Sequence, residues 1–231
     1  MSANPSNAEL PGLWWWDDRT IRHGPEDMAV DEWLLSSASD RPILRAYRWS
    51  RPAVSFGYAE PIAPIQAWFP DPSLTLVRRW TGGGVVEHGH DMTYTIVLPK
   101  SAAPDWQNSV AVYATVHGLL AGALRRTGLA AICTGDGKQA PGTLCFAAPV
   151  RHDVLVDGIK VAGAGQRRTT DGILHQGSLQ GVAARADVVE ALAHLLSPRV
   201  EDFPAALQPP ADAVRAIAAA RYADPAWTFA R

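Results

Sequence analysis

A lysine, two arginines and two runs of glycine are the residues of this chain best placed to do chemistry. In the segment HDVLVDGIKVAGAGQRR, polar and apolar residues alternate from Asp153 to Val156, Asp157-Gly158 supplies a two-residue hairpin turn, and the alternation resumes at Ile159. Lys160 therefore stands early on a returning strand. A strand lysine ordinarily points to water, but this one runs into Gly163-Ala164-Gly165. There the missing side chains let another backbone or a ligand come close, and an ammonium beside such a surface can serve as a fixed positive charge. A second bare surface lies upstream, where Arg78-Arg79-Trp80-Thr81 leads into Gly82-Gly83-Gly84 and then to His88. Three consecutive glycines are entropically expensive for a mere connection, so the run reads as backbone approached by a ligand rather than as a plain turn. Arg78 and Arg79 could each grip a phosphate or carboxylate through two N–H groups, or stand in a solvated ion pair. The run is no P-loop, since Gly-Lys-Ser/Thr does not follow it, and no clear helix follows as a dinucleotide fingerprint requires.

Stepping outward, the elements that must position these residues can be read from periodicity. Residues 1–12 read as a disordered lead and Leu13 to Trp16 as a short strand. A helix opens at Pro25-Glu26-Asp27 and ends within Ser36 to Arg41. Ile43 to Trp49 and Ala53 to Tyr58 are expected to form a hairpin around Ser50-Arg51-Pro52. A short helix is expected at Ile65 to Trp68, then a strand at Leu74 to Val77. Thr93 to Leu98 alternates and is expected to pair with the Gly-rich segment across Gly89-His90-Asp91. Between Trp106 and Thr127, Val110, Tyr113, Val116, His117, Leu120 and Leu124 recur at steps of three and four, an amphipathic helix on which His117 reads as a satisfied core histidine. Gly135 to Gly142 reads as a loop, Leu144 to Phe146 as renewed order around Cys145, and Ala186 to Leu196 and Ala211 to Tyr222 as closing helices.

Composition narrows the function classes. The 231 residues suit one large domain, here residues 13–231 with its closing helices in 186–231. With 47% hydrophobic residues the chain is an ordinary globular protein, and a net charge of −2 gives no excess for a polyanion, so nucleic acid is not an expected partner. Cys133 and Cys145 are the two cysteines, without CxxC or Cys/His ligand spacing. Neither a disulfide framework nor a structural zinc site is indicated, and free thiols in a reducing cytoplasm are expected. The lead MSANPSNAELPG has neither a basic nor an apolar signal region, and no window approaches the ~20 apolar residues of a membrane span.

Taken in order, the stretches EDMAVDEWLL, LRAYRWSRPAVSFGY, RRWTGGGVVEHGHDMTYTIV, VDGIKVAGAGQRR and GILHQGSL resemble the lipoate-protein ligase and octanoyltransferase family, related in catalytic domain to the biotin protein ligases. The resemblance implies an α/β (α+β) domain with a mixed, largely antiparallel sheet flanked by helices and a tunnel for a medium-length acyl chain. Arg79 and Gly82 to Gly84 would lie against the acyl chain and its activated head, with His88 near the mouth. Lys160 would contact the reacting carbonyl. The remaining substrate contacts implied are Arg78, Gly163, Gln166, His175, Gly177 and Ser178. One transferase branch carries its nucleophile in a Cys-Phe context about as far before its lysine as Cys145 lies before Lys160, fifteen positions. A nearby ammonium lowers a thiol pKa from ~8.5 towards neutrality and can stabilise the oxyanion of each tetrahedral intermediate. A cysteine can equally be a buried small hydrophobe, which is the reading for Cys133.

Two enzymes stay open on the resemblance. A transferase takes the octanoyl group from acyl carrier protein onto Cys145 without cofactor and passes it to a lysine of a lipoyl domain or of glycine cleavage H protein. A ligase uses ATP and Mg to make an acyl-adenylate held by Lys160, with no role for Cys145. A third reading is a non-catalytic relative that keeps the tunnel. Two departures from the family pattern bear on this. Gly163-Ala164-Gly165 replaces a common Gly-Ser-Ala, and Gln176-Gly177-Ser178 behind His175 replaces His-Gly-Ser or His-Gly-Thr.

Overall fold

The structure, a computed structural model, describes residues 9–37, 39–135 and 150–230. The alternating segments form β1 (Leu13–Asp17), β2 (Ile43–Tyr47), β3 (Ala53–Phe56), β4 (Thr75–Arg78), β5 (Val85–His88), β6 (Met92–Pro99), β7 (Ala131–Cys133), β8 (Val154–Val156), β9 (Ile159–Arg168), β10 (Gly172–Leu179) and β11 (Val200–Asp202). The segments of helical period form α1 (Gly24–Ser36), α2 (Ile62–Trp68), α3 (Ser109–Arg126), α4 (Ala186–Leu196), α5 (Ala211–Ile217) and α6 (Pro225–Thr228). Local chemistry marks their ends. Pro25 occupies the first turn of α1, where its missing N–H costs nothing, and the Glu26 carboxylate accepts the His23 N–H at 3.0 Å. Asn108 caps α3 by accepting from the N–H groups of Val110 and Ala111. Beyond α5 the chain widens into a π-helical turn, Ala218–Tyr222.

Eight strands make one mixed sheet in the order β11-β1-β2-β6-β10-β9-β8-β7, and β4-β3-β5 make a second, smaller one. The pairs β11–β1 and β1–β2 are parallel, and every pair from β2 through to β7 is antiparallel. Alternation divides the large sheet into two faces. From β6, Met92, Tyr94, Ile96 and Leu98 join the core built with α3 and α4, while Val97 joins the core that holds α1 and α5. The small sheet and α2 share a third cluster around Val54, Phe56, Ile62, Ile65 and Val85. Among the described residues, no helix is long and apolar enough to cross a membrane.

Two expected pairings do not form. β2 and β3 flank a tight-turn sequence but lie in different sheets, because both edges of β2 are already taken by β1 and β6. Ser50 to Pro52 is thus a bridge between sheets and not a hairpin turn. Likewise β6 does not pair with the Gly-rich segment. Its partners are β2 and β10, and β5 pairs instead with β3. The hairpin expected at Asp157-Gly158 is present. Both residues have positive φ, 51° and 78°, the requirement of a type I′ turn, and Val156 pairs with Ile159 across it.

Candidate active site

A narrow cleft lies between the α1 side of the large sheet and the small sheet, with about 410 Å³ of space counting its open mouth. Strands β9 and β10 form one wall through Gly163, Ala164, Gly165, Gln176, Gly177 and Ser178, and the opposite wall is Ser55, Arg79, Gly83, Gly84, Val86 and His88. Met28, Tyr47, Trp49 and Thr93 close the remainder. The glycines do different work here. A Cβ on Gly165 would stand 2.2 Å from the Gly82 carbonyl oxygen, and one on Gly57 would stand 1.9 Å from that of Gly83. The triplet is therefore wedged backbone-on-backbone between β3 and β9, with the Gly82 N–H donating to Gln166 O at 3.1 Å. Gly83, at φ 91°, and Gly84 are left to line the cleft.

Arg79 holds this loop in shape. Its guanidinium donates to the carbonyls of Gly82 (3.1 Å) and Gly84 (2.8 Å) and to Ser55 Oγ (2.7 Å). Because a guanidinium can only donate, Ser55 must send its own proton to His88 Nε2, 2.6 Å away, and His88 then donates from Nδ1 to Asp91 Oδ2 at 2.7 Å. The Asp91 carboxylate also takes the hydroxyls of Thr93 (2.9 Å) and Ser178 (2.8 Å). Burial lowers the pKa of His88 despite Asp91, and the ring stacks on Trp49 at 3.9 Å as a neutral imidazole. The order Ser-His-Asp is that of a nucleophile with its base, but Ser55 is fully buried and its oxygen is engaged by Arg79. The network is a rigid polar wall.

Across the cleft, Gln176 is fixed at both ends. Thr81 donates to its Oε1, and its Nε2 donates to Asp31 Oδ2, each at 2.7 Å. Asp31 belongs to a buried ion cluster in which Arg45 meets Asp18 (2.8 Å), Asp27 (2.6 Å) and Asp31 (2.8 Å). Burial together with the crowding of carboxylates pushes Asp27 up to about 7, against the pull of Arg45. A glutamine suits this position because it offers Asp31 a donor and Thr81 an acceptor at once.

Lys160 reaches the cleft wall through a β-bulge. Between β8 and β9 the register steps from Leu155↔Lys160 to Val154↔Ala162, leaving Val161 as the extra residue. Val161 and Ala162 both enter the core on the α3 side, and Lys160 falls on the same face as Gly163. Its ammonium lies over that glycine, 2.9 Å from where a Cβ would be, and pairs with Asp153 Oδ2 at 2.7 Å. Asp153 Oδ2 also accepts the Val150 N–H at 2.7 Å, and Oδ1 accepts from Tyr113 at 3.0 Å.

Of the residues singled out in the sequence, the cleft thus gathers Arg79, Gly83, Gly84, His88, Gly163, Gly177 and Ser178, with Lys160 packed against Gly163 of that wall. Arg78 is elsewhere. It is buried under the C-terminal segment, donating to the carbonyls of Tyr58, Glu60, Trp227 and Thr228. His175 and Gln166 face the opposite side of the sheet, where they bond each other at 2.8 Å and His175 meets Tyr94 at 3.4 Å. His117 is the buried core histidine expected, bonded to Tyr94 and to the His152 carbonyl. Cys145, with the stretch Leu144 to Phe146 and most of the expected Gly135 to Gly142 loop, lies outside the described residues. Sequence reasoning missed Ser55, Asp91, Tyr113 and Asp153, whose roles arise from partners distant in the chain.

The fold is that of the catalytic domains of lipoate-protein ligases. The chain matches the lipoyl protein ligase A/B catalytic domain over residues 23–218 and belongs to that family. Octanoyltransferase LipM of Carboxydothermus hydrogenoformans is 33% identical over 177 residues, covering 72% of this chain and 64% of the relative. The LipM of Symbiobacterium thermophilum is 34% identical over 182 residues, with 70% and 63% covered. The chain spans just under two thirds of the length of these relatives. In fold it is similar to lipoate-protein ligase A bound with ATP, with a TM-score of 0.72 at 18% identity over 95% of this chain and 99% of that one. A chain from the structural analysis of a bipartite lipoate protein ligase and its E2 lipoyl domain from Thermoplasma acidophilum has a TM-score of 0.56 at 21% identity over 91% and 82%.

Proposed function

We propose that this protein transfers octanoyl groups to the acceptor lysine of lipoyl domains, taking them from octanoyl-acyl carrier protein through a thioester on Cys145. The observation that carries the reading is the set of relatives named octanoyltransferase, about one third identical over most of the chain. The site is compatible with it. A buried ammonium at the wall of a cleft supplies the fixed charge that a thiolate and a carbonyl oxyanion both need. In the first half-reaction the Cys145 thiolate attacks the thioester carbonyl of the donor and the carrier thiolate leaves. In the second, the neutral acceptor amine attacks the acyl-enzyme and the Cys145 sulfur leaves, taking up as a thiol the proton that the nitrogen loses on becoming an amide, with Lys160 holding each oxyanion. Glycine cleavage H protein is a further acceptor on this reading, and lipoyl groups a further cargo.

The adenylate route keeps one specific support, since the fold is that of a ligase solved with ATP. One experiment decides between them. The protein is incubated with octanoyl-acyl carrier protein and an apo lipoyl domain without ATP, and intact masses are read for wild type and Cys145→Ala. A hydroxylamine-labile octanoyl adduct on wild type only, with modification of the lipoyl domain, is expected. Modification that requires ATP and survives Cys145→Ala would give the function to the ligase.

A further inference from the structure

We infer that Tyr113 and Asp153 are positioning residues that aim the Lys160 ammonium at the reacting centre, and that Tyr113 does so from a helix outside the cleft. The inference rests on the role proposed above for Lys160. Its basis is a hydrogen-bond chain whose direction is fixed at every link. At His152 the backbone takes a left-handed turn (φ 70°), and β8 pairs with β9 only as far as Ala162. Ala164, two residues further along β9, is thus beyond the ladder on that side, and its N–H donates to the Tyr113 hydroxyl oxygen at 3.0 Å. An amide can only donate, so the Tyr113 proton must go the other way, to Asp153 Oδ1 at 3.0 Å. Asp153 Oδ2 then receives the Lys160 ammonium at 2.7 Å and the Val150 N–H at 2.7 Å.

Every member of this chain is placed by rigid structure. Tyr113 projects from α3, which packs on the sheet, and Asp153, fully buried, directly precedes β8. Ala164 itself lines the cleft, so the same hydroxyl registers both the wall and the charge against it. Lys160 carries a four-carbon stem with several rotatable bonds, and a lysine is a mobile point charge unless something else fixes its rotamer. Gly163 allows the stem to lie flat, and Asp153 with Tyr113 fixes where it ends. Burial and the neighbouring Asp153 carboxylate hold the Tyr113 phenol well above its usual range, which keeps it a donor. The histidines packed here are His117, His175 and His152, all within ring contact of Tyr113.

The test is steady-state transfer from octanoyl-acyl carrier protein to an apo lipoyl domain by the full chain. Tyr113→Phe removes the hydroxyl, and with it both the bond to Asp153 and the acceptor of the Ala164 N–H, and should lower kcat by about tenfold with KM for the donor within about twofold, the range seen when a group that orients a reacting group is removed. Asp153→Asn should lower it further, by about a hundredfold. Val116→Ala, on the same helix but outside the chain of bonds, reports loss of packing alone and should leave kcat unchanged below its melting temperature. Wild-type kcat in Tyr113→Phe, with Lys160→Ala inactive, overturns this inference and leaves the acyl-transfer reading standing. Full activity in Lys160→Ala overturns both. A fall of the same size in Val116→Ala assigns the Tyr113 effect to packing and likewise overturns the inference.

Discussion

Strands β9 and β10 carry two unlike faces. Towards the cleft they present Gly163, Gly165, Gln176 and Ser178, small or hydrogen-bonded to a carboxylate. Towards α3 the same two strands present Gln166, His175 and the bare face of Gly177, packed against Tyr94, His117 and Tyr113. A Cβ on Gly177 would meet the Tyr94 ring at 2.2 Å. Adjacent residues therefore answer to different demands. Gln176 is held where chemistry is proposed, and its neighbour His175 is a neutral ring in a core. Burial, then the nearby His117, drive the His175 pKa well below the ordinary value. Of this pair, only Gln176 looks into the cleft.

Substitutions on the two faces should separate rate from stability. The largest effect is expected for Lys160→Ala, a loss of transfer of about 10³-fold, the size typical of removing an oxyanion-stabilising donor, read as the initial rate of lipoyl-domain modification. Gly177→Ala comes next. Forcing a methyl group against Tyr94 should cost about 3 kcal/mol, seen as a lower urea midpoint, and an unchanged midpoint would break the comparison. Acid should expose the same face without mutation. Burial pulls His117 from 6.5 down to about 4, so between those values the unfolded chain binds a proton that the folded one refuses. Stability is then present above pH 6.5 and lost as the pH falls towards 4, by about 3 kcal/mol from this one ring at 1.36 kcal/mol per unit. His175 acts with the same sign, and urea titrations across this range in wild type and His117→Gln measure the slope. The smallest effect is expected on the cleft side. Ser178→Ala removes one of several donors to Asp91 and should cost about 1 kcal/mol, with denaturation again the readout.

Much of this was legible in the sequence where the signal is local. Asp157-Gly158 specified its turn, and the spacing along α3 specified a helix on which Val116, His117, Leu120 and Leu124 are buried while Val110 of the same set is exposed; Arg79, Gly83 and Gly84 line one cleft with Gly163, over which Lys160 lies. Pairing between segments was not legible. The tight-turn composition of Ser50-Arg51-Pro52 described a sharp bend correctly but could not say that β2 has both edges occupied by strands distant in sequence. Site residues failed in the same way. Tyr113 sits at a core spacing of α3, and nothing in that spacing tells that its hydroxyl will find Asp153, forty positions on. Ser55 and His88 lie thirty-three apart. Arg78 misled for a further reason, because an arginine beside a glycine run has the same appearance whether it binds a ligand or caps buried carbonyls.

The outermost parallel pair has a consequence for how this chain comes into being. Strand β1, rich in tryptophan, has its far edge covered by β11, Val200 to Asp202 aligned with Leu13 to Trp15 and flanked by hydrogen bonds with Arg199 and Phe203. On a ribosome adding roughly 5–20 residues per second, some ten to forty seconds separate the emergence of the two strands. For that interval Trp14, Trp15 and their neighbours are an open template for any passing strand. Chains interrupted before Val200 should therefore aggregate, and nascent ones should depend on a holding chaperone that full-length molecules no longer need.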